Sequence, residues 1–222
     1  MAEPLLREVP LHWWGTLPFA EAVRRNAAAI ERTAAGGPGE LGAFEPAGPL
    51  FTLGRRAQSP EGRRQLEATL AACDLRGLPV LEVDRGGLGT LHLPGQLVVF
   101  VAIACPRVRV RPLVDELLQA ARLLALDHGV AARVDADDDV GLWAPHGKLA
   151  SLGLRWQRGV AGHGLAINVA IDPAEGDGLT LCGQPTTRLA SLGRAQPPGS
   201  RAVAEAAAEL DRLLRSIVAS PA

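Results

Sequence analysis

A chain of 222 residues, 47% of them hydrophobic and 21% charged, can bury a sizeable core, which excludes a disordered protein. A formal net charge of -1 leaves no electrostatic footprint for nucleic acid. No apolar run approaches the ~20 residues that span a bilayer, so neither a nucleic acid nor a membrane is an expected partner.

Residues Met1 to Trp14 lack a basic start followed by an apolar stretch, and no signal peptide is expected. Cys73, Cys105 and Cys182 are an odd set without metal-type spacing, which points to free thiols in a reducing cytoplasm. In chain order, Pro18 to Ala35 predicts a helix stopped by Gly36-Gly37. A Gly/Pro-rich loop follows to about Pro49, with a short strand near Leu41 to Phe44. Leu50 to Leu53 predicts a strand ending at Gly54. Ser59-Pro60 is a helix start, a cap followed by a first-turn proline, and that helix runs to about Cys73. Pro79 to Asp84 predicts a strand broken by Arg85-Gly86-Gly87. Thr90 and His92 then alternate on a short strand and point the same way. Gln96 to Cys105 predicts a buried strand, and Pro112 to His128 an amphipathic helix with Gly129 just past its end. After the loop Gln196 to Gly199, Arg201 to Val218 predicts a last helix. Strands and helices mix without strict alternation. That gives an α/β (α+β) fold with a mixed central β-sheet flanked by helices, read as one domain over residues 1–222.

Gly147 to Ile171 carries the most detail. It predicts two strands around a turn at Arg158-Gly159, with Gln157 facing Val160. Leu152 then opposes Leu165 and Ala150 opposes Ile167 on a large apolar face. Ser151 opposes Ala166 and Gly153 opposes Gly164 on a nearly bare one. Glycine weakens a strand, so a bare face has a use: another backbone packs there, or a ligand does. Lys148, the one lysine of the chain, falls by this alternation on the apolar face beside Ala150 and Leu152, partly desolvated. It is not expected to be a core contact.

Taken singly, the motifs are ordinary. Arg85-Gly86-Gly87 is a glycine turn, His163 a structural histidine and Lys148 a strand-end lysine. Lone cysteines are usually buried and inert, which suits Cys73 on a helix and Cys105 at a strand end. Cys182 differs, because it sits in a Gly/Pro/Thr-rich loop where reactive residues are displayed. The acidic run Asp135, Asp137, Asp138, Asp139 reads as a solvated loop rather than a cation site.

Together, four segments resemble one family. Arg85 to Gln96 is similar to an Arg-Gly-Gly-x-x-Thr-Tyr-His-Gly-Pro-Gly-Gln segment, and Lys148 to Gly153 to a Lys-x-x-Ser/Ala-x-Gly strand. His163 to Val169 is similar to a His-Gly-Leu-Ala-x-Asn-Val strand, and Cys182-Gly183 to a Cys-Gly loop. These are the marks of the lipoyl(octanoyl) transferases, the octanoyl-[acyl carrier protein]:protein N-octanoyltransferases. That family is related in fold to lipoate- and biotin-protein ligases. The resemblance covers roughly residues 13 to 193.

The resemblance implies an acyltransferase. An octanoyl thioester on acyl carrier protein would pass its acyl group to Cys182, with Lys148 as partner. A lysine of a lipoyl domain, in a 2-oxoacid dehydrogenase complex or the glycine cleavage H protein, would then accept it as the first step of endogenous lipoylation. No cofactor, ATP or metal is implied, because a thioester is already activated. Substrate would be bound by Arg85, Gly86, Gly87, Leu88, Gly89, Thr90, Leu91 and His92, by Ser151, Leu152 and Gly153, and by His163, Gly164, Leu165 and Ala166. Backbone N–H groups after the Arg-Gly-Gly turn, or around Gly183, would stabilise the oxyanion. The bare strand face becomes a wall for the acyl chain. Leu91 and Leu93 stand where the family has Tyr and Gly, inside the expected pocket wall, and Ala190 stands where it has Thr. These departures leave the acyl length open. They motivate a second reading, an acyl-chain or carrier-protein binding paralogue without turnover. A third is an ATP-dependent lipoate ligase of the same fold.

Overall fold

The computed structural model describes residues 3–135, 140–177, 179 and 188–217. Cys182, Gly183 and Asp137 to Asp139 lie outside the described residues. In chain order the elements are β1 (Leu11–Leu17), α1 (Phe19–Ala34), β2 (Glu40–Pro46), β3 (Leu50–Leu53), α2 (Pro60–Leu75), β4 (Val80–Glu82), β5 (Gly89–His92), β6 (Gln96–Ala104), α3 (Val110–Asp127), β7 (Arg133–Asp135), β8 (Gly141–Ala144), β9 (Gly147–Gln157), β10 (Val160–Asn168) and α4 (Arg201–Ser216). Seven strands form a mixed sheet in the order β1-β2-β6-β10-β9-β8-β7, and three form a smaller one, β4-β3-β5. No described helix is long and apolar enough to cross a membrane.

The unbroken apolar run of β6 is explained by burial on both faces. Leu97, Val99, Val101 and Ile103 face a core shared with Leu117 and Leu124 of α3 and Leu210 and Leu214 of α4. Val98 and Phe100 face the opposite side, with Phe19 and Ala22 of α1 and Phe44 of β2. A third cluster joins the small sheet to α2 through Phe51, Leu53, Leu66 and Cys73. The expected helices form with small shifts, α3 starting at Val110 rather than Pro112. The strand expected over Pro79 to Asp84 contracts to Val80–Glu82. Three strands were not anticipated. β1 is an edge strand with Trp13 exposed and Gly15 at φ +83°, so it lacks clean alternation. β7 and β8 are three and four residues long, too short for a periodic signal.

The β9–β10 hairpin has the expected register, Gln157 opposite Val160, Leu152 opposite Leu165 and Ser151 opposite Ala166. Lys148, however, is not on the apolar face. The pairing of β8 with β9 shifts between Leu142 and Trp143, which face Ala150 and Lys148, so Leu149 is an extra residue. This β-bulge resets the alternation. Leu149 and Ala150 both enter the main core. Lys148 instead turns to the other face with Trp143, its Nζ 5.2 Å from the centroid of the indole. That is the face of Ser151. A Cβ built on Gly141, which pairs with Ser151, would come within 3.0 Å of Lys148 Cε. Lys148 is also only 2% exposed. The expectation that it makes no core contact is therefore corrected, and truncating it to alanine would open a hole beneath Trp143.

Glu45 fixes the turn into β6. It is fully buried, and its Oε1 accepts the Gly95 N–H at 2.8 Å. Its Oε2 accepts the Gly199 N–H at 2.8 Å and the Thr16 hydroxyl at 2.9 Å. Glu45→Gln puts an amide N–H against one of these donors and orphans it. The expected loss is roughly 1–3 kcal/mol, read as a lower urea midpoint. An unchanged midpoint would contradict this role.

Candidate active site

The bare face of the hairpin floors a cavity. Ser151, Leu152 and Gly153 of β9 and His163 to Ala166 of β10 line it, with Arg85, Thr90 and His92 across from them. Phe19, Val83, Val98 and Phe100 complete the wall. The cavity is narrow: about 30 Å³ is open to the centre of a water-sized sphere, room for roughly one or two waters. The first explanation for the bare face holds. The Gly86 carbonyl would lie 3.0 Å from a Cβ on Gly153, so a backbone packs there. Beside it the face is open to the cavity.

Ten of the expected binding residues meet at this cavity. The other five do not line it. Gly86, Gly87 and Leu88 build the turn behind it. Gly86 donates its N–H to the Leu154 carbonyl at 3.0 Å. Leu88 is buried in the cluster under α2. Gly89 and Leu91 line a smaller recess next door, shared with Gln96, Asn168 and Leu189. Leu93 faces a shallow hollow beside Pro49 and Pro94. The expectation that Leu91 and Leu93 sit in the main pocket wall is thus corrected. β5 alternates, so Thr90 and His92 point into the cavity while Leu91 packs behind.

Arg85 shapes the turn. Its Nη2 donates to Thr90 Oγ1 at 2.7 Å, Thr52 Oγ1 at 2.8 Å and the Thr52 carbonyl at 3.1 Å. Its Nη1 reaches the Gly86 carbonyl at 2.9 Å. His163 has φ +58°, outside the β region of its neighbours. Its ring meets Phe100 edge-on at 5.7 Å, on the cavity side, although alternation would send it to the core with Leu165. The conformation is supported from α1. Buried Asn26 accepts the His163 N–H at 3.1 Å and donates to the Val101 carbonyl at 2.8 Å.

Residues without an expected role knit the site together. Asn168 Nδ2 donates to the Lys148 carbonyl at 3.1 Å. Gln96 Nε2 donates to Asn168 Oδ1 at 2.8 Å and to the Leu91 carbonyl at 3.2 Å. Gln96 Oε1 lies 3.1 Å from His92 Nδ1. Gln96 and Asn168 stand inside the recognised segments, which was the available signal. Phe19 and Phe100 gave none, since only packing across the sheet brings them here. Lys148 is stitched to the chain after Cys182: its N–H donates to the Arg188 carbonyl at 2.8 Å, and its own carbonyl accepts the Ala190 N–H at 2.9 Å. Cys73 and Cys105 are buried, and desolvation pushes both thiols up, which fits inert thiols. Among the described residues no group of His, Cys, Asp and Glu could hold a metal ion.

Both cavity histidines are neutral. Desolvation first, and the Arg85 charge second, lowers His92 to about 3 and His163 to about 4. The unfolded chain binds protons at these sites near the ordinary value of about 6.5. Their contribution to stability is therefore complete above that value and is lost as pH falls toward the folded values. Between about pH 7 and pH 5 the unfolding free energy should drop by roughly 2 kcal/mol for each histidine, measured by urea titration. A flat profile over that window would contradict neutral burial.

Comparison with known proteins agrees with this architecture. An octanoyltransferase of Chromohalobacter salexigens is 35% identical over 213 residues, 94% of this chain and 91% of that protein. One of Alkalilimnicola ehrlichii is 37% identical over 154 residues, 67% of this chain and 66% of that protein, so this second match spans just under two thirds of its relative. Among solved structures, lipoate-protein ligase A bound with ATP superimposes with a TM-score of 0.71 at 17% identity, covering 93% of this chain and 85% of that one. A Thermoplasma acidophilum structure, described as a bi-partite lipoate protein ligase and its E2 lipoyl domain, gives 0.64 at 14% identity, with 94% and 84% covered. These likenesses establish a lipoate-protein-ligase-like fold. Residues 31–207 match the family described as the lipoyl protein ligase A/B catalytic domain, and the chain belongs to that family.

Proposed function

We propose that the protein transfers an octanoyl group from acyl carrier protein to a lysine of a lipoyl domain, through a thioester on Cys182. The observation that carries the reading is the side of the sheet to which Lys148 is turned. The bulge at Leu149 brings the lysine to the face whose bare residues floor an apolar cavity. An acyl chain lying over Ser151, Gly164 and Ala166 then ends near an amine. The octanoyltransferase relatives, at 35–37% identity, support the choice of chain and of transfer rather than ligation.

The proton and bond inventory closes. Lys148 as a neutral amine takes the Cys182 proton, and an ammonium beside a thiol favours the thiolate. The thiolate attacks the donor carbonyl, the carrier's thiolate leaves, and Lys148 returns the proton to it. The acceptor lysine, as a neutral amine, then attacks the Cys182 thioester. Lys148 takes the amine proton as Cys182 leaves as thiolate, and the amide is formed. His92 and His163, held neutral by burial, are poor candidates for these proton transfers.

Transfer from octanoyl-acyl carrier protein to a lipoyl domain, followed by mass spectrometry of the acceptor, should proceed without ATP. Because Lys148 is buried, Lys148→Met is the apt variant, since it keeps the aliphatic stem. It should lose roughly 100-fold or more in rate with its thermal unfolding little changed. Transfer that requires ATP would favour a ligase. Binding of the carrier with no transfer would favour the paralogue without turnover.

A further inference from the structure

His92 is 4% exposed and lines the cavity, and its Nε2 is buried with no hydrogen-bond partner among the described residues. The direction of every bond leading to it can be worked out. A backbone carbonyl only accepts, so the Asn168 atom at the Lys148 carbonyl is the amide NH2 and its oxygen faces Gln96. Gln96 meets that oxygen and the Leu91 carbonyl with one atom, which must then be its own NH2. Two independent carbonyls thus fix both amide orientations, which otherwise would be a matter of assignment. Gln96 Oε1 is left to face His92 Nδ1 at 3.1 Å and can only accept. Neutral His92 therefore carries its proton on Nδ1, and Nε2 is a bare lone pair.

A buried acceptor without a donor is unfavourable in an apolar cavity. We infer that His92 Nε2 is a fixed acceptor for an N–H of the ligand, and that this N–H belongs to the nitrogen that attacks the acyl carbonyl and becomes the product amide. The inference rests on the acyl-transfer reading above. An alkyl chain and a thioester linkage offer no donor. Only the second half of that reaction places an N–H directly on the atom bonded to the carbonyl. Accepting without taking the proton, which its depressed basicity favours, His92 would orient the amine's lone pair toward the carbonyl. The same relay ties His92 to the backbone of Lys148, so acceptor and amine are held by one set of bonds.

Two probes with the same acyl chain test this: N-butyloctanamide, which has the N–H, and S-butyl octanethioate, which lacks it. Calorimetry on the Cys182→Ser protein, which lacks the thiol that would take the acyl group from the thioester, should show the amide binding about tenfold tighter, equivalent to about 1.4 kcal/mol. Adding His92→Phe should reduce that preference to near unity. Nitrogen NMR of the same Cys182→Ser protein labelled at histidine, with His92 assigned through its side-chain couplings, adds a reading that needs no change at His92. It should find Nδ1 protonated and Nε2 bare, with Nε2 shifting on addition of the amide and not of the thioester. A proton on Nε2, or equal binding of both probes with Nε2 unmoved, would overturn the inference and leave the acyl cavity standing. Binding of neither probe would overturn both.

Discussion

One extra residue in β9 decides which side of the sheet the chain's lysine meets. With strict alternation Lys148 would join Ala150 and Leu152 against α3 and α4, in the main core. The bulge lets Leu149 take that place and sends Lys148 across to Trp143 and the face of Ser151. Bulges re-aim side chains at a small cost in pairing, and here the neighbours absorb the change. The freed backbone of Lys148 bonds to Arg188, Ala190 and Asn168 rather than to β8 alone. The lysine's backbone is thereby bonded to Arg188 and Ala190, which follow Cys182 in sequence.

The cavity on that side of the sheet is mostly apolar, with a few directed polar groups. The Arg85 guanidinium is held to Thr52, Thr90 and the Gly86 carbonyl, so it fixes the glycine turn against the small sheet. Burial first, and its charge second, keep His92 and His163 neutral. In such a setting a hydrogen bond is stronger than in water and an unmet one costs more. The Lys148–Asn168–Gln96–His92 relay therefore also specifies the arrangement of β5, β6, β9 and β10, because each strand supplies one partner.

Much of this was legible in the sequence. The apolar run of Gln96 to Cys105, the hairpin register and the bare face at Ser151, Gly153, Gly164 and Ala166 follow from side-chain period and turn chemistry, and all three are present. What was not legible involves exceptions to period and contacts across the sheet. The bulge at Leu149 breaks the alternation that assigned Lys148 to the apolar face. The positive φ of His163 moves its ring to the cavity side, and the reason lies in Asn26, far away in α1. Leu91 and Leu93, the two departures from the family pattern, pack behind the cavity and beside it. Both side chains are held in the cluster under α2, so the departures bear less on the acyl chain than their place in the motif suggested.

The family is shared by enzymes whose names denote ligation and transfer, and under the proposed transfer the protein itself carries the acyl group. That makes the covalent state of Cys182 the decisive observable. Incubation of the intact protein with octanoyl-acyl carrier protein, without ATP, followed by peptide mass mapping, should find one octanoyl group on Cys182 and none on Cys73 or Cys105. It should be absent in Cys182→Ser and discharged when a lipoyl domain is added. An unmodified Cys182, or acylation that survives Cys182→Ser, would contradict the account.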